Sequence, residues 1–297
     1  MSTAVGDCRS EGRSARSVPR GMTETEHPMA SSNAGIPAED IDTSKPHPAR
    51  MYDYFLGGKD NYEVDRVAAH RFMEAAPEVR TSVRANRSFL HRAVRDLVAE
   101  CGIRQILDIG TGIPTQPNVH EIAQGIAPET RVAYIDNDPI VNAYASVFLT
   151  GAGNTSIALG DLRDPAAILE HPAVRDTIDF ERPVALLLVA ILHFITEAED
   201  PEGIVATLRD ALPSGSYLVL SHATGDFHED GRTEAAAVYK AATASMNPRA
   251  RERVMEFFGD FTLLEPGLVQ VPTWRPEGPL PVDSELVGMY GGVARKG

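Results

Sequence analysis

Between Gln105 and His222 five short apolar runs, QILDIG, RVAYID, TSIALGD, VALLLVAIL and SYLVLSH, are separated by stretches whose apolar residues recur at helical spacing. The runs are nearly continuous rather than alternating, so each strand must be covered on both faces. Five strand and helix alternations of this kind predict an α/β fold with a mostly parallel sheet and helices on both faces. After Ser221 the rhythm breaks. RTEAAAVYKAATASM and PRARERVMEFFGDF read as two helices inserted near residues 231–258, followed by a strand-like LVQVPTW and a closing YGGVARK. That last strand fits an antiparallel position at the end of the sheet.

Upstream, RSFLHRAVRDLVAECG places Phe89, Leu90, Ala93, Val94, Leu97 and Val98 on one helix face, with Gly102 as its stop. Residues 46–100 therefore read as an N-terminal helical segment outside the alternation, and 101–297 as the sheet domain. Residues 1–45 hold no aromatic side chain and are rich in Ser, Glu, Arg, Gly and Pro, which predicts a disordered tail. Met22 and Met29 inside it are alternative start sites to Met1. The longest apolar runs are too short to cross a bilayer, so no membrane partner is expected. A formal net charge of −14 argues against a nucleic-acid binder, which needs clustered positive charge. With only Cys8 and Cys101, and no signal-like stretch after Met1, a disulfide framework is not expected and the cytoplasm is the default compartment.

Ligands of open parallel sheets bind at the carboxyl ends of the strands, so those ends carry the functional reading. The first strand ends in Asp108-Ile-Gly110-Thr111-Gly112-Ile-Pro114, where the glycines let backbone N–H groups come close to a ligand. The second ends in Asp136-Asn137-Asp138-Pro139. Asp136 is placed to accept both hydroxyls of a ribose, and Asp138 before a proline is a helix N-cap. The third ends in Gly160-Asp161-Leu162, where Asp161 can accept from an adenine amino group while Leu162 packs on the ring.

Three acidic strand ends in order, with a glycine turn after the first, resemble the class I S-adenosylmethionine-dependent methyltransferases. The combination of ARMYDYFLGGKDNYEVDR, LDIGTGIPTQ, IDNDP, LHFI and MYGGVARK is similar to an actinobacterial family of uncharacterised methyltransferase-like proteins. The resemblance implies a Rossmann-like class I methyltransferase sheet with an antiparallel final strand, and S-adenosyl-L-methionine as cofactor. It implies cofactor contacts from Asp108, Gly110, Thr111, Gly112, Asp136, Asn137, Asp161, Leu162 and Ala190. Pro114 stands where many methyltransferases carry a third glycine. An NAD-binding oxidoreductase is the weaker alternative, since its fingerprint needs glycine where Thr115 stands and a pyrophosphate wants donors that Pro114 and Pro117 remove. A cofactor-binding sensor or partner module without turnover is the other.

Class I sheets leave the cofactor open on one side, and Pro48–Asp65 has the parts of a lid. Arg50 and Lys59 are expected to meet the cofactor carboxylate, Tyr52, Tyr54 and Phe55 to give apolar cover, and Gly57-Gly58 to turn close to the ligand. Arg84, Asn86 and Arg87 are second candidates for the carboxylate. The bland alternative is that these aromatics only staple a helix to the core. After the fourth strand stands His193, where some small-molecule O-methyltransferases carry a base; Phe194 follows here instead of the usual Asp. Neither an Asn/Asp-Pro-Pro-Tyr pattern nor a Pro-Cys nucleophile is present, which favours a small-molecule acceptor, methylated at oxygen, over nucleic acid. His193 is thus either a general base or a pocket wall. His222, Glu229 and Tyr239 are further candidates for the acceptor site, and no metal ligand set is expected.

Overall fold

A computed structural model describes residues 42–141, 143, 153–227, 237–238 and 242–297. Three helices come first: α1 (Pro48–Leu56), α2 (Glu63–Ala75) and α3 (Val79–Ala99). The sheet follows with β1 (Gln105–Ile109), α4 (Val119–Ile126), β2 (Arg131–Asp136), β3 (Thr155–Leu159), α5 (Pro165–Glu170), α6 (Pro172–Thr177), β4 (Ala185–Val189), α7 (Pro201–Asp210) and β5 (Tyr217–Ala223). The chain closes with α8 (Arg251–Glu256), β6 (Thr262–Leu263), β7 (Val269–Gln270) and β8 (Met289–Arg295).

The strand order is β3-β2-β1-β4-β5-β8-β6, with β7 also paired to β8. The first five strands are mutually parallel, and β8 runs antiparallel to β5 from Tyr217 opposite Arg295 to Ala223 opposite Met289. Successive strand residues feed opposite apolar layers. Leu107, Ile109, Leu186 and Leu188 join one cluster, while Ile106, Tyr134, Ala185 and Leu187 join the other. This double burial is why the runs of β1, β2, β4 and β5 are continuous in sequence, whereas in β3, at the sheet edge, Ala158 is buried and Leu159 is exposed, so that run is not covered on both faces as expected.

The N-terminal helices have their own core of Met51, Phe55, Phe72, Val79 and Val83. Because α3 gives Val79 and Val83 to that core and Phe89 through Val98 to the sheet, one rigid helix carries the lid segment onto the carboxyl ends of the strands. Proline at the first position of α1 leaves no N–H wasted, and Gly57 ends the helix at φ +91°.

Three expectations change in detail. PAAILEHPAV forms two helices rather than one, because Pro172 has no N–H to donate to the preceding turn; His171 closes α5 and caps α6 through Nδ1, which accepts from Ala173 N–H at 3.2 Å. In LVQVPTW only Val269–Gln270 pairs with β8, and Val271–Thr273 turns away as a 3-10 helix. VALLLVAIL ends as a strand at Val189, since Ala190 takes φ +56°. Of the inserted helices α8 is present, whereas most of RTEAAAVYKAATASM, with Glu229 and Tyr239, lies outside the described residues, as does the tail to residue 41. No helix among the described residues is long and apolar enough to cross a membrane.

Candidate active site

The cavity of interest opens at the carboxyl ends of β1, β2 and β4 and encloses about 1190 Å³, its solvent-facing mouth included. Its floor is the β1 turn. Gly110 at φ +75° donates to Ile135 O at 2.7 Å, and a Cβ there would stand 2.6 Å from the Ile191 side chain. Gly112, at φ +68°, has open space where its Cβ would be, and its N–H donates to Asp136 Oδ2 at 2.8 Å. The second glycine therefore holds the loop low so that a ligand can occupy the room above it.

Asp136 is buried and accepts a second backbone N–H, from Asp138, on Oδ1 at 2.9 Å. Burial outweighs both bonds and pushes its carboxyl up to about 6. Asp108, also buried, is pushed up to about 7 by the same cause, against the pull of the Arg87 guanidinium and the Thr111 hydroxyl at 3.2 Å. Asp138 caps the turn after β2 by accepting from Ile140 N–H at 3.0 Å, as its place before Pro139 predicts.

On the far side Asp161 lines the cavity, and its carboxylate is held by the Arg163 N–H at 2.9 Å, by the Arg163 guanidinium and by Asn137 Nδ2 at 3.3 Å. Leu162 is buried beside it. Ala190 lines the cavity in a left-handed conformation that its N–H secures by donating to Ser221 Oγ at 3.0 Å. Ser221 Oγ donates in turn to Asn86 Oδ1 at 2.6 Å, and Asn86 Nδ2 donates to Tyr52 OH at 2.9 Å. A fully satisfied chain thus runs from α1 through α3 to β5 and the β4 turn, and it consumes the Asn86 amide that the sequence offered to a carboxylate. Asn86 had a sequence signal: with Ser82 it interrupts the apolar stripe of α3.

Two arginines line the cavity: Arg163 is paired with Asp161 and Glu199, and Arg87 forms no ion pair with a described carboxylate. Its Nη2 donates to Thr115 O at 2.6 Å, while its Nε is buried without a hydrogen-bond partner. An unpaired guanidinium N–H at a cavity wall has its bonding capacity free for an anion. Arg84, by contrast, is exposed.

The expected lid residues Arg50, Tyr54, Gly58 and Lys59 do not line this cavity. Arg50 is buried beside Asp65 (3.7 Å) and Asp138 (3.4 Å). The hydroxyl of Tyr54 meets His70 Nε2 at 2.9 Å, with the Arg80 guanidinium over its ring. Gly58 is needed because a Cβ would collide with Asp53, whose carboxylate collects Asp60 N–H and Asn61 Nδ2 to shape the loop. Lys59 points to solvent. From this segment the cavity is lined instead by His47, Pro48, Ala49, Tyr52, Asp53 and Leu56, with Tyr52 the one expected residue among them.

A second chamber, about 750 Å³ with its solvent-facing mouth included, adjoins the first, and Tyr52, Ala190 and Phe194 line both. His193 belongs to this second chamber, not to the first. Its Nδ1 accepts from Ala223 N–H at 3.3 Å, so the ring proton lies on Nε2. Burial, His222 and Arg249 hold its pKa well below the ordinary histidine value. A neutral ring with Nδ1 engaged and Nε2 protonated presents a hydrogen-bond donor. His222 is buried away from both chambers: Nδ1 donates to Ala223 O at 2.6 Å and Nε2 accepts from Arg249 at 3.0 Å. No cluster of metal-ligating side chains occurs among the described residues.

The fold is that of a class I S-adenosylmethionine-dependent methyltransferase. Residues 34–297 match the S-adenosyl methyltransferase family, and the chain belongs to it. The chain is 47% identical to a DUF574 family protein of Streptomyces avermitilis, over 86% of this chain and all (100%) of that one, with a TM-score of 0.83. It is 39% identical to an inferred methyltransferase of Thermobifida fusca, over 88% of this chain and 98% of that one, with a TM-score of 0.82. No curated protein matches. The residues fit the cofactor: room above Gly112 for a nucleoside, a buried acceptor in Asp136 for a diol, and the unpaired Arg87 Nε for a carboxylate.

Proposed function

We propose that the first cavity holds the cofactor with its ribose on Asp136, its adenine between Asp161 and Leu162, and its methionyl carboxylate on Arg87. The second chamber then receives a small-molecule acceptor that is methylated at oxygen. The observation that supports this reading is the common wall: Tyr52, Ala190 and Phe194 line both spaces, which puts an acceptor directly beside the cofactor cavity.

Held there by Asp136, Asp161, Leu162 and Arg87, the cofactor would supply an activated methyl on a sulfonium for the acceptor oxygen. The chain's part is placement and dryness. Tyr52 and Leu56 line the cavity from α1, and the Ser221 and Asn86 bonds hold Ala190 in its left-handed conformation on the wall that the two spaces share.

Calorimetry with S-adenosylhomocysteine, followed by a screen of phenols, hydroxylated polyketide-like compounds and carboxylic acids for demethylated-cofactor release, tests the reading. Saturable binding and methyl ether or ester formation are expected. Exclusive methylation of amines or carbon would refute the oxygen assignment.

A further inference from the structure

The second chamber has a chemistry of its own. Its walls are apolar and aromatic, with Phe55, Phe72, Val79, Val83, Met246 and Met289 around Tyr52 and Phe194. The charged residue among its described walls is Glu78, half-buried at the start of α3. Ser82 Oγ accepts from Gly288 N–H at 3.3 Å, and Thr224 Oγ1 accepts from Asp226 N–H at 3.1 Å. The Tyr52 hydroxyl is spoken for twice, donating to Val83 O at 3.1 Å and accepting from Asn86. What remains is the His193 ring. Its Nδ1 is taken by Ala223 N–H, and no described residue accepts from its Nε2. A hydrogen-bond donor without a protein partner in an apolar chamber selects a ligand that supplies an acceptor atom there, because an unmatched donor is costly to desolvate.

Resting on the functional reading above, we infer that the acceptor is an apolar, ring-bearing molecule that presents a hydrogen-bond-accepting oxygen to the His193 Nε2–H. His193 is then a positioning residue that orients the ring by one oxygen while a neighbouring oxygen faces the shared wall at Ala190. Its neighbours hold it to this role. The ring packs on Phe194 at 4.4 Å and edge-on to His222 at 5.4 Å between centroids, and its carbonyl accepts from Asn247 N–H at 2.7 Å. Amino acids and polyamines are poor fits, because Glu78 is the one carboxylate among the described walls and the remainder offers no polar cradle.

The test uses 7-hydroxycoumarin, an aromatic ring with a carbonyl and a hydroxyl, titrated by fluorescence into the full chain saturated with S-adenosylhomocysteine. Tyramine, a ring carrying an ammonium, is the contrasting probe. Coumarin should bind more tightly than tyramine, by about tenfold or more. His193→Phe, which fills the space without a donor, should weaken coumarin by about tenfold, whereas His193→Gln, which keeps an N–H near the Nε2 position, should stay within about threefold. His193 is outside the cofactor cavity, so both variants should bind S-adenosylhomocysteine as wild type does, and that titration reports their folding. A second measurement needs no variant: ¹⁵N shifts of the His193 ring should show the Nε2–H tautomer. Failure of wild type to bind S-adenosylhomocysteine would sink the functional reading itself. Cofactor binding with tyramine preferred, with coumarin indifferent to His193→Phe, or with an Nδ1–H ring would overturn this inference alone.

Discussion

Asp136 makes cofactor affinity depend on pH in a way whose sign follows from its surroundings. Its carboxyl sits at about 6 because burial penalises the ion more than two backbone N–H groups favour it. In the unfolded chain it returns to the ordinary value of 3.8. Between those values the native protein holds a proton that the unfolded chain has released, so stability without ligand falls as pH rises from about 4 to 6. Cofactor binding runs the other way. Ribose hydroxyls donate to the ionised carboxylate, so binding expels the proton and affinity climbs with pH until the group is ionised beforehand. At pH 5 about one carboxyl in eleven is charged, so the dissociation constant for S-adenosylhomocysteine should be about tenfold weaker than at pH 7.5, roughly 1.4 kcal/mol.

Calorimetry at several pH values, in buffers of different ionisation enthalpy, reads both the affinity and the protons released. Asp136→Ala should flatten the step and weaken binding at pH 7.5 by about ten- to a hundredfold, the loss of charge-assisted hydrogen bonds worth about 1.5–3 kcal/mol. Any slope that survives belongs to Asp108, held up at about 7 by burial in the same site. A wild-type affinity that is flat from pH 5 to 7.5, or that weakens as pH rises, would refute the assignment of the ribose to Asp136.

Three further outcomes are expected. Arg87→Met should weaken S-adenosylhomocysteine by about ten- to a hundredfold and leave methylthioadenosine, which lacks the amino-acid end, nearly unchanged; equal losses for both ligands would remove the guanidinium from the carboxylate. Gly110→Ala and Gly112→Ala both force a left-handed alanine at about 1–2 kcal/mol, but only the first meets Ile191, so urea melts should rank it the less stable while cofactor titration should show Gly112→Ala losing affinity beyond its stability cost. Arg50→Ala strips the cation from buried Asp65 and Asp138 and should cost about 3–5 kcal/mol in urea unfolding, a result within about 0.5 kcal/mol of wild type counting against the buried pair.

How much of this was readable beforehand follows from where each cause lies in the chain. The strands and their acidic ends were readable because double burial and loop glycines act within a few residues: Asp108, Gly110, Gly112, Asp136 and Asp161 all line the first cavity. The lid was not, because its question is one of helical phase. Residues two apart on a helix lie about 200° apart around its axis, so Arg50 and Tyr54 share a stripe facing Asp65 and His70 while Tyr52 and Leu56 share the stripe facing the cavity. Both stripes carry aromatics, and nothing local says which one docks. Asn86 shows the same limit in a single side chain, since its role is set by Tyr52, 34 residues before it, and Ser221, 135 after it. His193 shows it in a single proton. Its place after β4 marks it for the transfer zone, but whether it takes or gives a hydrogen bond there is decided by the backbone N–H of Ala223 on the neighbouring strand. Chemistry that depends on residue type at a strand end is therefore legible in a sequence like this one. Chemistry that depends on which face of a helix docks, or which nitrogen of a ring is already engaged, enters only with the fold.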